Sequence, residues 1–124
     1  MKLSAIGIVA LNMEETLKFY ENFGLKFNQI SEDHYESVTE SGVRLMIDSK
    51  NLILKLNPQW KFSNSSNIVL CFEKQTPDEV DKLFHSLVSK GSQSVKEPWN
   101  AFWGQRYATL KDPNGNLIDI FCDL

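Results

Sequence analysis

The chain has little of several things that would point to specialised classes of protein. There are two cysteines in 124 residues, Cys71 and Cys122, so no disulfide framework staples the fold. The longest uninterrupted apolar run, Ala5 to Leu11, spans seven residues and contains Gly7. That is far short of the roughly 18 needed to cross a bilayer, and no basic segment leads into a cleavage-like site. There is no excess of positive charge either. Thirteen basic and sixteen acidic residues give a net charge of −3, well mixed along the chain, which argues against a nucleic-acid partner. Only two of the basic residues are arginine, Arg44 and Arg106. What remains is 42% hydrophobic and 23% charged, an ordinary globular composition. These bounds lead to the expectation of one compact cytoplasmic domain spanning residues 1–124, with no membrane partner.

Two stretches of the chain follow one plan. In the first, Leu3–Leu11 reads as a buried strand, and Asn12 with Glu15 forms a helix-start signature. Met13, Leu17, Tyr20 and Phe23 recur at helical spacing, and Gly24 sits where a helix ends in a left-handed residue. Three β-like runs follow, near Leu25–Ile30, His34–Thr39 and Val43–Asp48, with Thr39–Gly42 as the last turn. Leu52–Leu56 reads as an additional strand before the polar stretch Ser63–Ser66. In the second stretch, Ile68–Phe72 is again a short apolar strand. Thr76-Pro77-Asp78-Glu79 supplies an N-cap, a proline at the first helical position and a capping box. Val80, Leu83, Phe84, Leu87 and Val88 form one helix face, closed by Gly91. Gln105–Lys111 and Leu117–Cys122 flank Asp112-Pro113-Asn114-Gly115, a type I turn leading into a left-handed glycine. The reading is α+β, two βαβββ modules: module one about 1–57, a linker about 58–66, and module two about 67–124.

Alternation along the strands sorts their side chains. With a three-residue loop at 113–115, Thr109 lies opposite Asp119 and Tyr107 opposite Phe121. One hairpin face is then Ala108, Leu110, Ile118 and Ile120, suited to packing under helices. The other carries Tyr107, Thr109, Lys111, Leu117, Asp119 and Phe121. In the first module Val43, Leu45 and Ile47 go inward, while His34, Glu36, Val38, Arg44, Met46 and Asp48 share the outer face. Such a mixed face is either a solvated sheet surface or the lining of a ligand cleft. Parity puts Cys71 on the cleft side and Cys122 on the helix side, so the two do not pair. Trp60, Phe62, Trp99, Phe102, Trp103 and Tyr107 lie outside both helices, four of them within nine residues. They suit core packing or a flat ligand at a cleft mouth. Arg44 could hold an anionic group with its planar fork, or simply pair with Glu36 or Asp48.

Phe19-Tyr20 followed by Gly24-Leu25 resembles the glyoxalase/bleomycin-resistance/extradiol-dioxygenase (vicinal oxygen chelate) superfamily. So do Trp103-Gly104-Gln105-Arg106-Tyr107 and Asp112-Pro113-Asn114-Gly115-Asn116-Leu117-Ile118-Asp119. The resemblance implies a curved mixed sheet around a cleft. It also implies up to four metal-ligand positions, one in the opening and one in the last strand of each module. Here those positions hold Ala5, Asn67, Met46 and Asp119. Alanine has no donor, a thioether is soft, an amide oxygen is weak, and Asp119 alone is a plausible ligand. The resemblance therefore points to the metal-lacking bleomycin-resistance-like members. It implies a metal-independent, homodimeric small-molecule-binding protein, sequestering a drug or metabolite without a cofactor. Arg44, Met46, Asn67, Trp103, Tyr107, Thr109 and Asp119 are the expected ligand-binding residues. The alternative is a glyoxalase-like lyase or isomerase, or a dioxygenase, with an atypical divalent metal site in which His34 and Glu36 join Asp119.

Overall fold

The computed structural model describes all residues, 1–124, and divides into two compact units, residues 1–62 and 63–124. The first opens with β1 (Ala5–Ala10), then α1 (Met13–Glu21), β2 (Asn28–Ser31), β3 (His34–Val38), β4 (Arg44–Ser49) and α2 (Lys50–Leu56). The second runs β5 (Val69–Glu73), α3 (Pro77–Ser89), β6 (Ser94–Ala101), β7 (Gln105–Lys111) and β8 (Leu117–Asp123). Each unit holds one four-stranded mixed sheet, ordered β1-β4-β3-β2 and β5-β8-β7-β6. In both, the opening strand crosses over a helix to lie parallel to the last strand, and the remaining pairs are antiparallel. This is the expected α+β architecture of two βαβββ units. No helix is long and apolar enough to cross a membrane.

The helices begin where side-chain oxygens can take orphan backbone N–H groups. Asn12 Oδ1 accepts from the Glu15 N–H at 2.9 Å, with Glu14 and Glu15 placing negative charge on the first turn of α1. Thr76 and Glu79 complete a reciprocal capping box at α3, with Pro77 in its first turn. On α1 the buried residues are Thr16, Phe19 and Tyr20. The stripe is thus rotated from the expected one, and Met13, Leu17 and Phe23 are only half-buried. On α3 the expected face holds, with Val80, Phe84 and Leu87 essentially inaccessible. It packs on Ala108, Leu110, Ile118 and Ile120, all fully buried, as α3 lies against β6, β7 and β8. In the first unit Ile8, Leu45 and Ile47 form the inward sheet face, with α1 against β4.

One expected element is of another kind. Leu52–Leu56 is not a strand but most of α2: Ser49 Oγ accepts from the Leu52 N–H at 3.1 Å and caps a helix. A five-residue apolar run has no period of its own, so the cap decides. The structure also supplies β6, a strand of the second βαβββ unit for which the sequence pattern gives no bounds. Its alternation is broken by Pro98 and by register shifts between Ser94 and Lys96 and between Lys96 and Trp99. Such bulges and a proline are characteristic of an edge strand.

Candidate functional site

The hairpin β7–β8 has the register that its turn requires. Asp112 N–H donates to Asn116 O at 2.9 Å, and Gly115 N–H to Asp112 O at 3.1 Å, with Gly115 at φ +88°. The Asp112 carboxylate also accepts from the Asn114 and Asn116 backbone N–H groups, both at 2.8 Å. This fixes Thr109 opposite Asp119 and Tyr107 opposite Phe121. On the face away from α3, the Tyr107 hydroxyl donates to Asp119 Oδ2 at 2.7 Å, and Thr109 donates to Oδ1 at 2.7 Å. Cys71, beside Asp119 on β5, turns its thiol towards Oδ2 at 3.7 Å. Partial burial, and then the bond to an anionic carboxylate, push the Tyr107 phenol well above its ordinary range. Partial burial, and then the negative charge of Asp119, raise the Cys71 thiol, which disfavours the nucleophilic thiolate at neutral pH.

Beside this polar cluster runs a ladder of rings. Tyr107 stacks on Phe121 at 5.7 Å and meets Trp103 edge-on at 5.3 Å. Trp103 in turn contacts Phe102 and Trp99 at 5.0 and 5.6 Å. Phe102 is 91% exposed and Trp103 49%, so the outer rungs face solvent. Lys96 Nζ already lies 4.8 Å from the centre of the Trp99 ring. Trp103 Nε1 donates to Gln105 Oε1 at 2.8 Å, which orients the indole.

The equivalent face of the first unit is different in kind. His34 donates through Nδ1 to Asp48 and through Nε2 to Glu36 at 2.7 Å, and Glu36 also accepts from Arg44. Two carboxylates on opposite nitrogens require the imidazolium. Its pKa is raised, first by Glu36 and then by Asp48, while Glu36 is lowered by His34 and then Arg44. The ion pair is thus the role that the structure gives Arg44, whose other end lies 3.3 Å from Ser4 Oγ. Met46 sits opposite Glu36 on β3 and Gly7 on β1. An open depression of about 490 Å³ in the same unit, lined by Glu32, Asp33, Asn51, Leu54 and Lys55, shares no residue with this face.

Of the expected binding residues, Trp103, Tyr107, Thr109 and Asp119 come together in the second unit. Asn67 does not join an opening strand: it lies in an exposed bend before β5 begins at Val69. The strand residue beside Asp119 is Cys71, and the one beside Met46 is Gly7. The parity of Cys71 in its strand is the signal that places it on this face. Phe121 was likewise on the face and not singled out. Arg106, of opposite parity, makes a two-pronged bond to Asp81 on α3 at 2.8 and 2.9 Å and acts as a structural tie.

The sequence pattern of the glyoxalase/bleomycin resistance protein/dioxygenase superfamily matches residues 2–120. The chain belongs to that superfamily. It is 24% identical to YraH of Bacillus subtilis (strain 168) over 128 residues, covering 98% of both chains. A glyoxalase/bleomycin resistance protein/dioxygenase family enzyme from Burkholderia phytofirmans PsJN superposes with a TM-score of 0.87 at 22% identity, covering all of both chains. A glyoxalase-related enzyme from Fulvimarina pelagi gives 0.84 at 18% identity, over 98% of this chain and 88% of that one. At these identities the structural likenesses bear on the fold alone. The superfamily's metal positions do not fit a metal in this member. Ala5 offers no donor, Met46 a thioether beside Gly7, and Asn67 an amide outside the strand. Asp119 is held by a tyrosine and a threonine. No three His, Cys, Asp or Glu side chains are grouped to hold an ion. His34 and Glu36 are engaged with each other, with Asp48 on the ring's far nitrogen.

Proposed function

We propose that this superfamily member binds a small molecule without a metal, in the manner of the bleomycin-resistance-like branch, and performs no chemistry on it. One observation carries the reading. The single carboxylate at the metal positions, Asp119, is tied by 2.7 Å bonds into a face that continues into exposed rings. A carboxylate held by two hydroxyls is oriented as a hydrogen-bond acceptor, and Trp103 with Tyr107 supplies flat apolar area next to it. Binding would bury ring surface and fix orientation through Asp119, Tyr107 and Thr109. The homodimeric state and the cytoplasmic location belong to the same proposal; sedimentation and cell fractionation check them.

The test begins with metal. Untagged protein is incubated with nickel, zinc, iron and manganese, desalted and assayed for metal content. The expected result is no stoichiometric retention. One equivalent retained, and lost in Asp119→Ala, overturns the reading in favour of a lyase or dioxygenase. A thermal-shift screen of small molecules follows. A true ligand at a hundredfold excess over its Kd stabilises the native state by about 2.7 kcal/mol, an increase of several degrees in Tm.

A further inference from the structure

Apart from Lys111, the side-chain donors on the second unit's face are directed at the protein itself. The Tyr107 and Thr109 hydroxyls and the Cys71 thiol point at Asp119, and the Trp103 N–H at Gln105. What the face presents around Asp119 is acceptors. A carboxylate has about four lone-pair sites, and Asp119 takes two strong bonds and one weak one, leaving capacity on Oδ1. No cation is paired with Asp119; the six ion pairs of the chain lie elsewhere. Lys96, cross-strand from Thr109, is engaged on the Trp99 ring, and the other positive residue of the same parity is Lys111, two positions beyond Thr109 and beside Leu117. That places it about 7 Å along the strand. The rings next to Asp119 accept cations on their faces, as Lys96 does on Trp99.

We infer that the ligand of this face is a hydrogen-bond donor, an aromatic ring bearing a protonated amine, with the ring on Trp103 and Tyr107 and the ammonium on Asp119. This rests on the small-molecule-binding reading and sets the sign of the ligand's polar group. An anionic or acceptor-only ligand at Asp119 would meet oxygen lone pairs, with Lys111 the nearest uncommitted donor about 7 Å along the strand from Thr109, and each such buried mismatch is costly. The first unit's face offers no competing site for an ionic ligand, because His34, Arg44, Glu36 and Asp48 neutralise one another.

Three indoles of one ring and three charges test this: tryptamine, indole-3-ethanol and indole-3-acetate, titrated by calorimetry at low salt. Tryptamine is expected to bind about tenfold or more tightly than indole-3-acetate, as a charge-assisted bond implies. Asp119→Asn, which keeps the shape, should abolish that preference. Trp103→Ala should weaken all three without reordering them, which separates the ring contact from the charge contact. Circular dichroism and Tm confirm that both variants fold. Equal affinities, or a preference for indole-3-acetate that Lys111→Gln removes, overturn the inference and leave the binding reading standing. If no indole binds at millimolar concentration while another compound in the thermal-shift screen does, the amine assignment falls alone. If nothing binds in either experiment, the binding reading falls with it.

Discussion

Asp119 shows how one residue type changes meaning with its neighbours. As a carboxylate at a position that the family resemblance assigns to a metal ligand, it could be one member of a ligand set. With Tyr107 and Thr109 donating to it, it becomes a fixed acceptor instead. Its effect reaches Cys71, which is exposed yet raised in pKa by partial burial and by Asp119 itself. In the folded protein at pH 8, iodoacetamide should therefore label Cys71 several-fold more slowly than a free thiol, with the rate rising in Asp119→Asn. Peptide mass spectrometry distinguishes it from Cys122, which is 1% exposed and should label only on unfolding. Fast labelling of Cys71 at neutral pH would contradict this electrostatic picture of the site.

Among the elements, the β7–β8 hairpin was the most legible in the sequence. Asp112-Pro113-Asn114-Gly115 has a local mechanism, and once Gly115 adopts φ +88° the pairing of Thr109 with Asp119 follows. The face assignments of Tyr107, Asp119, Arg44 and Glu36 all descend from such turns. Elements without a local signal were not legible. The apolar run in α2 fits a strand or a helix equally until Ser49 caps it, and β6 hides its alternation behind two bulges and Pro98. The partner that Arg44 selects was also open, because Glu36 and Asp48 both share its face. Gly115 offers a check on the hairpin. A Cβ there would lie 2.6 Å from the Asn64 carbonyl oxygen, a backbone atom that cannot swing aside, whereas one at Gly24 would meet nothing within 4 Å. Both positions have positive φ, so Gly24→Ala should cost about 1–2 kcal/mol of backbone strain. Gly115→Ala should cost measurably more, and urea unfolding of the two variants compares them directly.

For the whole molecule, the clearest pH dependence comes from the His34 cluster. The His34 pKa is raised above its ordinary 6.5, so its stabilisation is complete below that pH and is lost as pH rises through the folded value. Glu36 is lowered from 4.5, so its contribution is complete above that pH and is lost as pH falls through the folded value. Tm should therefore be highest between about 4.5 and 6.5 as far as these groups govern it, and His34→Gln should flatten the decline on the alkaline side. Amide exchange should place the alkaline loosening at β3 and β4, where His34, Glu36, Arg44 and Asp48 reside. An unchanged alkaline limb in His34→Gln would assign it to other groups.

The mutual engagement of those four side chains also bears on how such a chain can diverge. Glu36 answers to both His34 and Arg44, and His34 to both Glu36 and Asp48, so replacing any one strands its neighbours. Substitutions there are coupled and must be accepted in combinations, which makes the first unit's face slow to drift. Thr109 and Trp103 each hold a single hydrogen-bonded partner and can change one at a time. New ligand preferences in this lineage should therefore accumulate in the second half of the gene, and a library randomising Thr109 and Trp103 should retain far more folded clones than one randomising His34 and Glu36.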